Sequence, residues 1–223
     1  MTKFAILGAT GRTGVQLSQQ ALDQGHEVIA LCRNPAKLTI QHDKFQVVEA
    51  DVYSADSMTP HFKGCDAVFS CLGTDSGLMK STTFYSDTTK AITEAMRAAD
   101  VQRLICMASW YTNYRKGDGG PFFHEWIMKP IAGLVLGRVL TSMTLMESFL
   151  MEDCHDINFT IVRPPGLTDT QVTDKEFLTE ECQYVRSPCA TQMARADVAR
   201  FMLLSTETSL YDSKAIAISL AAK

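Results

Sequence analysis

The stretch Ala5-Ile6-Leu7-Gly8-Ala9-Thr10-Gly11-Arg12-Thr13-Gly14 decides the fold. An apolar strand runs into three glycines and two threonines, and a helical pattern starts at about Thr13 and ends near Gln24, before Gly25. Val15, Ser18, Ala21 and Leu22 are placed on its inward face. A glycine turn between a strand and a helix is a place where backbone can approach a phosphate. The helix start there adds free N–H groups and a partial positive charge. Gly8 then permits the tight turn, Gly11 leaves room for the phosphate, and Gly14 lets the helix lie close to the strand.

Further along, short apolar runs alternate with longer amphipathic ones. EVIALC (27–32), FQVVEA (45–50), DAVFSCLG (66–73), RLICMAS (103–109), FTIVRPP (159–165) and KAIAIS (214–219) read as strands. Helices are expected before Gly64, over about 82–99 with Tyr85, Ile92, Ala95, Met96 and Ala99 on one stripe, over about 135–152, and over about 195–205. Strand alternating with helix predicts one α/β domain over 1–223, a Rossmann-like doubly wound parallel sheet flanked by helices, whose strands are apolar on both faces. A long connection rich in Gly, Pro and aromatics is expected at about 110–133.

Composition narrows the functional classes. Of 223 residues, 46% are hydrophobic and 21% charged, the balance of an ordinary soluble protein. The net charge of −4 and the lack of a basic stripe give nucleic acid no electrostatic purchase. The apolar run PIAGLVLGRVL (130–140) is too short to span a bilayer and carries Arg138. No membrane partner and a cytoplasmic location are therefore expected. The seven cysteines form no C-x-x-C pair and the five histidines show no ligand spacing, so neither a disulfide framework nor a metal site is expected.

The end of the second strand speaks to which dinucleotide is bound. NAD-binding chains usually carry Asp or Glu there for the ribose 2′-hydroxyl. Here the chain reads Cys32-Arg33-Asn34-Pro35-Ala36-Lys37. Arg33, Lys37 and Arg12 of the glycine turn suit a 2′-phosphate, which guanidinium groups bind through charge-assisted hydrogen bonds. NADPH (NADP+) is the expected cofactor, with solvated surface cations as the plainer reading of these side chains.

GATGRTG (8–14), CRNPAKL (32–38), EADV (49–52), CLGT (71–74) and TIVRPPGLTD (160–169), with ARADVARFML (194–203) and KAIAIS later, resemble the atypical short-chain dehydrogenase/reductases. The nearest group is the NAD(P)H-binding, NmrA-like one that includes biliverdin-IXβ and NADPH-dependent flavin reductases. The resemblance implies cofactor contacts from Gly8, Thr10, Gly11, Arg12, Thr13 and Gly14. It also implies Asp51 and Val52 beside the adenine, Leu72, Gly73 and Thr74 along the cofactor, Ser109 near the nicotinamide, and Pro164 and Pro165 beneath its carboxamide. Asp51 could equally serve as a turn carboxylate and Ser109 as a turn hydroxyl.

Two departures restrict the chemistry. The Tyr-x-x-x-Lys pair of many short-chain reductases is missing: Tyr111 is followed by Arg115, Tyr114 by Asp118, and TSMTLMESFLME (141–152) has neither residue. The His that follows the paired prolines in the biliverdin and flavin reductase pattern is Gly166 here. Without a placed proton donor, hydride transfer to a flavin, quinone or similar conjugated acceptor fits better than ketone reduction. Trp110, Tyr111, Tyr114, Phe122, Phe123 and Trp126 are candidates for aromatic walls, or for packing and subunit contact, and Met143, Met146 and Met151 for core. Ser109 is the candidate orienting residue. A carbonyl reductase using Tyr111 as acid, and a non-catalytic NADPH sensor of the NmrA-like kind, are the alternatives. A monomer or weak dimer is expected.

Overall fold

In a computed structural model that describes residues 1–73, 83–112, 129–187 and 189–221, the first strand β1 (Lys3–Leu7) alternates its side chains between two helical layers. Ala5 and Leu7 face one layer, Phe4 and Ile6 the other, and all four are buried. The remaining strands are β2 (Glu27–Cys32), β3 (Phe45–Glu49), β4 (Ala67–Ser70), β5 (Arg103–Met107), β6 (Asn158–Arg163), β7 (Gly166–Thr168), β8 (Phe177–Glu180), β9 (Gln192–Ala194) and β10 (Lys214–Leu220). Helices are α1 (Arg12–Asp23), α2 (Ala55–Phe62), α3 (Phe84–Ala99), α4 (Lys129–Asp153) and α5 (Arg195–Leu204).

Eight strands form one sheet in the order β3-β2-β1-β4-β5-β6-β10-β8, and β7 pairs with β9 in a parallel ribbon of their own. The order reverses beside β1, so a crevice opens at the carboxyl ends of β1 and its neighbours. Helices α1 and α5 pack together over one face, while α2, α3 and α4 cover the other. The architecture is thus the expected doubly wound one, with a correction: β8 runs antiparallel to β10 at the sheet edge.

Local boundaries differ where packing overrides pattern. Helix α4 starts at Lys129, inside the stretch expected to be loop, and residues 113–128 of that stretch lie outside the described residues. On α1, Leu17 joins Ser18, Ala21 and Leu22 in the buried face, whereas Val15 is only half-buried. The strands β7, β8 and β9 have no counterpart in the sequence reading. They are three or four residues long, too short to show a period; β7 and β8 are largely half-buried, and β9 buries Met193 and Ala194.

Candidate cofactor cleft

Two backbone collisions explain the glycine turn. Gly8 has φ of 74°, and a Cβ there would stand 2.5 Å from the carbonyl oxygen of Cys71 at the end of β4. At Gly14 a Cβ would stand 2.2 Å from the Gly8 carbonyl oxygen, so helix and strand approach as closely as glycine permits. The Gly11 N–H closes the turn onto that same oxygen at 2.9 Å. Helix α1 then begins from Gly11 with no side-chain cap and no acidic residue in its first turn. Its first N–H groups thus lack the usual partner, as an anion-binding helix start requires.

A cleft of about 440 Å³ opens over this turn. Gly8, Thr10, Gly11, Arg12 and Thr13 form one wall, and Arg33, Val52, Leu72 and Gly73 stand at the ends of the neighbouring strands. Leu31, Cys32, Cys71, Met107 and Leu167 give it an apolar floor, and burial pushes the Cys71 thiol up to about 12. Among the described residues that line it there are three arginines, Arg12, Arg33 and Arg195, and no carboxylate.

Several expected residues stand elsewhere. Gly14 serves packing, not the cleft wall. Lys37 ends the single 3-10 turn Pro35–Lys37 that Asn34 caps through its Oδ1 on the Ala36 N–H, 3.1 Å away. Neither Arg33 nor Lys37, both exposed, has an ion-pair partner among the described residues. The Asp51 carboxylate accepts from the Tyr53 N–H at 3.0 Å, an Asx turn that matches its plainer reading. Thr74 lies outside the described residues, as do Tyr114, Arg115, Phe122, Phe123 and Trp126.

At the end of β5, the Ser109 N–H donates to Thr112 Oγ1 at 3.1 Å, and Thr112 returns its hydroxyl to the Ser109 carbonyl at 2.6 Å. The Trp110 N–H donates to the Pro164 carbonyl at 3.1 Å, which ties this turn to the buried Pro164-Pro165 pair. Trp110 itself is core: its indole N–H donates to the Ile218 carbonyl and its ring meets Tyr184 edge-on. Met143 and Met146 are buried as expected, whereas Met151 is exposed. Tyr111 is half-buried, and burial raises its hydroxyl pKa.

Sequence reading missed three contributors. Tyr53, exposed and edge-on to Phe84 at 6.0 Å, gives the cleft an aromatic margin. Arg195 opens α5, and Asp169 follows β7. The Asp169 carboxylate accepts from Arg12 at 2.7 Å and from Arg195 at 2.6 Å. The Arg12 guanidinium is thus committed to an element beyond β6, while Arg33 stands at the end of β2, on the other side of β1. The position of Tyr53 directly after Val52 was a signal, and Asp169 and Arg195 lie within the family-like stretches 160–169 and 194–203, but nothing local paired them.

Over residues 8–208 the chain matches the family described as NAD(P)H-binding, and it belongs to that family. An oxidoreductase of Pestalotiopsis microspora is 25% identical over 201 residues, covering 83% of this chain and 75% of its own. Among solved structures, a short-chain dehydrogenase/reductase of Veillonella parvula in complex with NADP superposes with a TM-score of 0.76 at 18% identity, over 97% of this chain and 94% of the other. A candidate NADH-flavin reductase of Streptococcus pneumoniae superposes at 0.77 with 17% identity, over 99% and 100%. These structural likenesses carry the fold. Among the described residues no helix is long and apolar enough to cross a membrane, and no three His, Cys, Asp or Glu side chains converge to hold a metal.

Proposed function

We propose that this protein is an NADPH-dependent oxidoreductase that passes hydride to a flavin, a quinone or a similar conjugated acceptor. The observation that carries the reading is the cleft over an uncapped helix start, with Arg33, which has no ion-pair partner among the described residues, at the end of β2 in its lining. The residues fit the cofactor: the glycine turn leaves backbone N–H groups for the pyrophosphate, and a Cβ at Gly73 would meet nothing within 4 Å. Arg33, with Lys37 one short turn on, would hold the 2′-phosphate, where a carboxylate would instead select NADH. Val52 and Tyr53 would flank the adenine. Bound NAD(P)H supplies the hydride.

The chain's own part is alignment and exclusion of water. Met107 and Leu167 give the cleft apolar lining. The Ser109–Thr112 turn, tied to Pro164, would orient the two rings. Tyr111 is a poor acid for ketone reduction, because burial moves its pKa up where a catalytic tyrosine needs it lowered. The named homologue and the structural neighbours, an oxidoreductase and reductases, support the same class.

NADPH consumption by the purified protein with excess FMN, with NADH in parallel, tests the reading. Turnover with NADPH well above that with NADH is expected. Arg33→Ala should raise the NADPH KM about tenfold or more, the worth of a lost charge-assisted bond, and leave the NADH KM unchanged. NADPH binding with no turnover of FMN or any quinone would refute the reductase and leave a sensor.

A further inference from the structure

Arg12 and Arg195 stand where the cofactor cleft meets a second recess. The β7–β9 register pairs Thr168 with Ala194, so the next residue of each strand, Asp169 and Arg195, come side by side. Helix α1 packs on α5, with Gln20 Nε2 donating to the Ala196 carbonyl at 2.9 Å, and this contact brings Arg12 to the same point. The result is two guanidinium groups against one carboxylate. The Arg195 side chain is only 14% exposed, so its charge is partly desolvated, whereas Asp169 is 57% exposed and open to exchange.

These residues surround a recess of about 250 Å³ that adjoins the main cleft through Thr10, Arg12 and Arg195. The recess opens toward β7 and α5. It shares Thr10, Arg12 and Arg195 with the cleft, its Asp169 follows Leu167 of the cleft floor by two residues, and Arg33 is not in its lining. Its chemistry is that of an anion subsite. Two guanidinium groups offer paired N–H donors to one phosphate or carboxylate, and the carboxylate now between them shows that the spacing fits such a group.

We propose that Arg12 and Arg195 bind a phosphate or carboxylate group carried by the acceptor, with Asp169 as the resident counter-ion that this group displaces. The site selects anionic conjugated acceptors over neutral ones of the same ring system. The inference rests on the reductase reading, but it makes a separate prediction about binding.

FMN and riboflavin share one ring and differ in the phosphate, so they are the probes. Flavin fluorescence quenching gives both affinities for the full chain, with and without saturating NADP+, and NADPH affinity is measured by itself. FMN should bind about tenfold or more tighter than riboflavin, the worth of a charge-assisted contact. Arg195→Gln and, separately, the exposed Arg12→Gln should each erase that preference and leave riboflavin affinity alone. Asp169→Asn should strengthen FMN binding by removing the internal competitor. Acetate and inorganic phosphate, each tested as competitor of FMN, tell the two anion types apart, and displacement by either supports the site. Equal affinity for FMN and riboflavin, or no binding of either, overturns the inference. So does a loss of NADPH affinity in Arg195→Gln and Arg12→Gln that matches the loss for FMN, since the arginines would then read the cofactor. Failure of NADPH turnover with the FMN preference intact would sink the reductase reading and leave the anion site standing.

Discussion

At the scale of single residues, the turn after β1 is set by sterics before any ligand is considered. Gly14→Ala drives a Cβ into backbone that cannot step aside, and a cost of about 1–3 kcal/mol or more is expected by urea denaturation. Gly25, where a Cβ would meet nothing within 4 Å, differs: there only the left-handed φ of 84° resists, and Gly25→Ala should cost about 1–2 kcal/mol. The buried pair Arg163–Glu147 is a different case. Its bonds of 2.6 and 3.0 Å join β6 to α4, and Arg163 also donates to the Cys182 carbonyl. Glu147→Gln leaves a buried guanidinium without the carboxylate that balances its charge, so a loss of about 3–5 kcal/mol is expected. Replacing both partners by methionine should cost less than either single change, and a double-mutant cycle of denaturation midpoints checks it.

At the scale of elements, caps and short strands matter more than helix pattern. Helix α3 ends on Asp100 with φ of 58°, a left-handed stop that glycine usually supplies. Asp100→Gly should raise stability by up to about 1 kcal/mol, seen as a higher thermal midpoint. The core-facing strands β1, β2, β4, β5, β6 and β10 read directly from sequence because burial on both faces makes them continuous apolar runs. The ribbon β7–β9 escapes that rule. Its strands are formed by the pairing itself, and that pairing sets Asp169 beside Arg195.

At the scale of the whole molecule, burial governs titration and reactivity. His26 packs against Phe4 at 4.8 Å, and burial lowers its pKa from 6.5. The unfolded chain then binds the proton more readily than the folded one. Stability is therefore fully present above pH 6.5 and falls as the pH drops through that value toward the lower folded pKa. Denaturation at pH 7.5 and 5.5 should show this loss in the wild type and a smaller one in His26→Gln. All seven cysteines are free thiols, and Cys32, Cys65, Cys71, Cys106 and Cys154 are buried. A thiol reagent should label Cys182 in the folded protein, Cys189 more slowly because burial raises its thiol pKa, and the other five only on unfolding.

The sequence by itself determined the alternating architecture, the place of the cofactor turn and the side of the sheet where it opens. These depend on local features: apolar runs, a glycine spacing, and an arginine where a strand must end. Arg33 could be placed at the cleft for that reason, at the carboxyl end of its own strand, whereas Val52, Leu72 and Gly73 were implied there by the family resemblance and stand in the cleft lining. Only the tertiary structure decided where Arg12 points, that Trp110 is core, that β8 runs antiparallel, and that Asp169 and Arg195 join the first helical turn. Those outcomes depend on contacts between segments up to 157 positions apart, as in the Arg12–Asp169 bond. A side chain long enough to choose among partners takes the one that the fold, and not its neighbours in sequence, brings within reach.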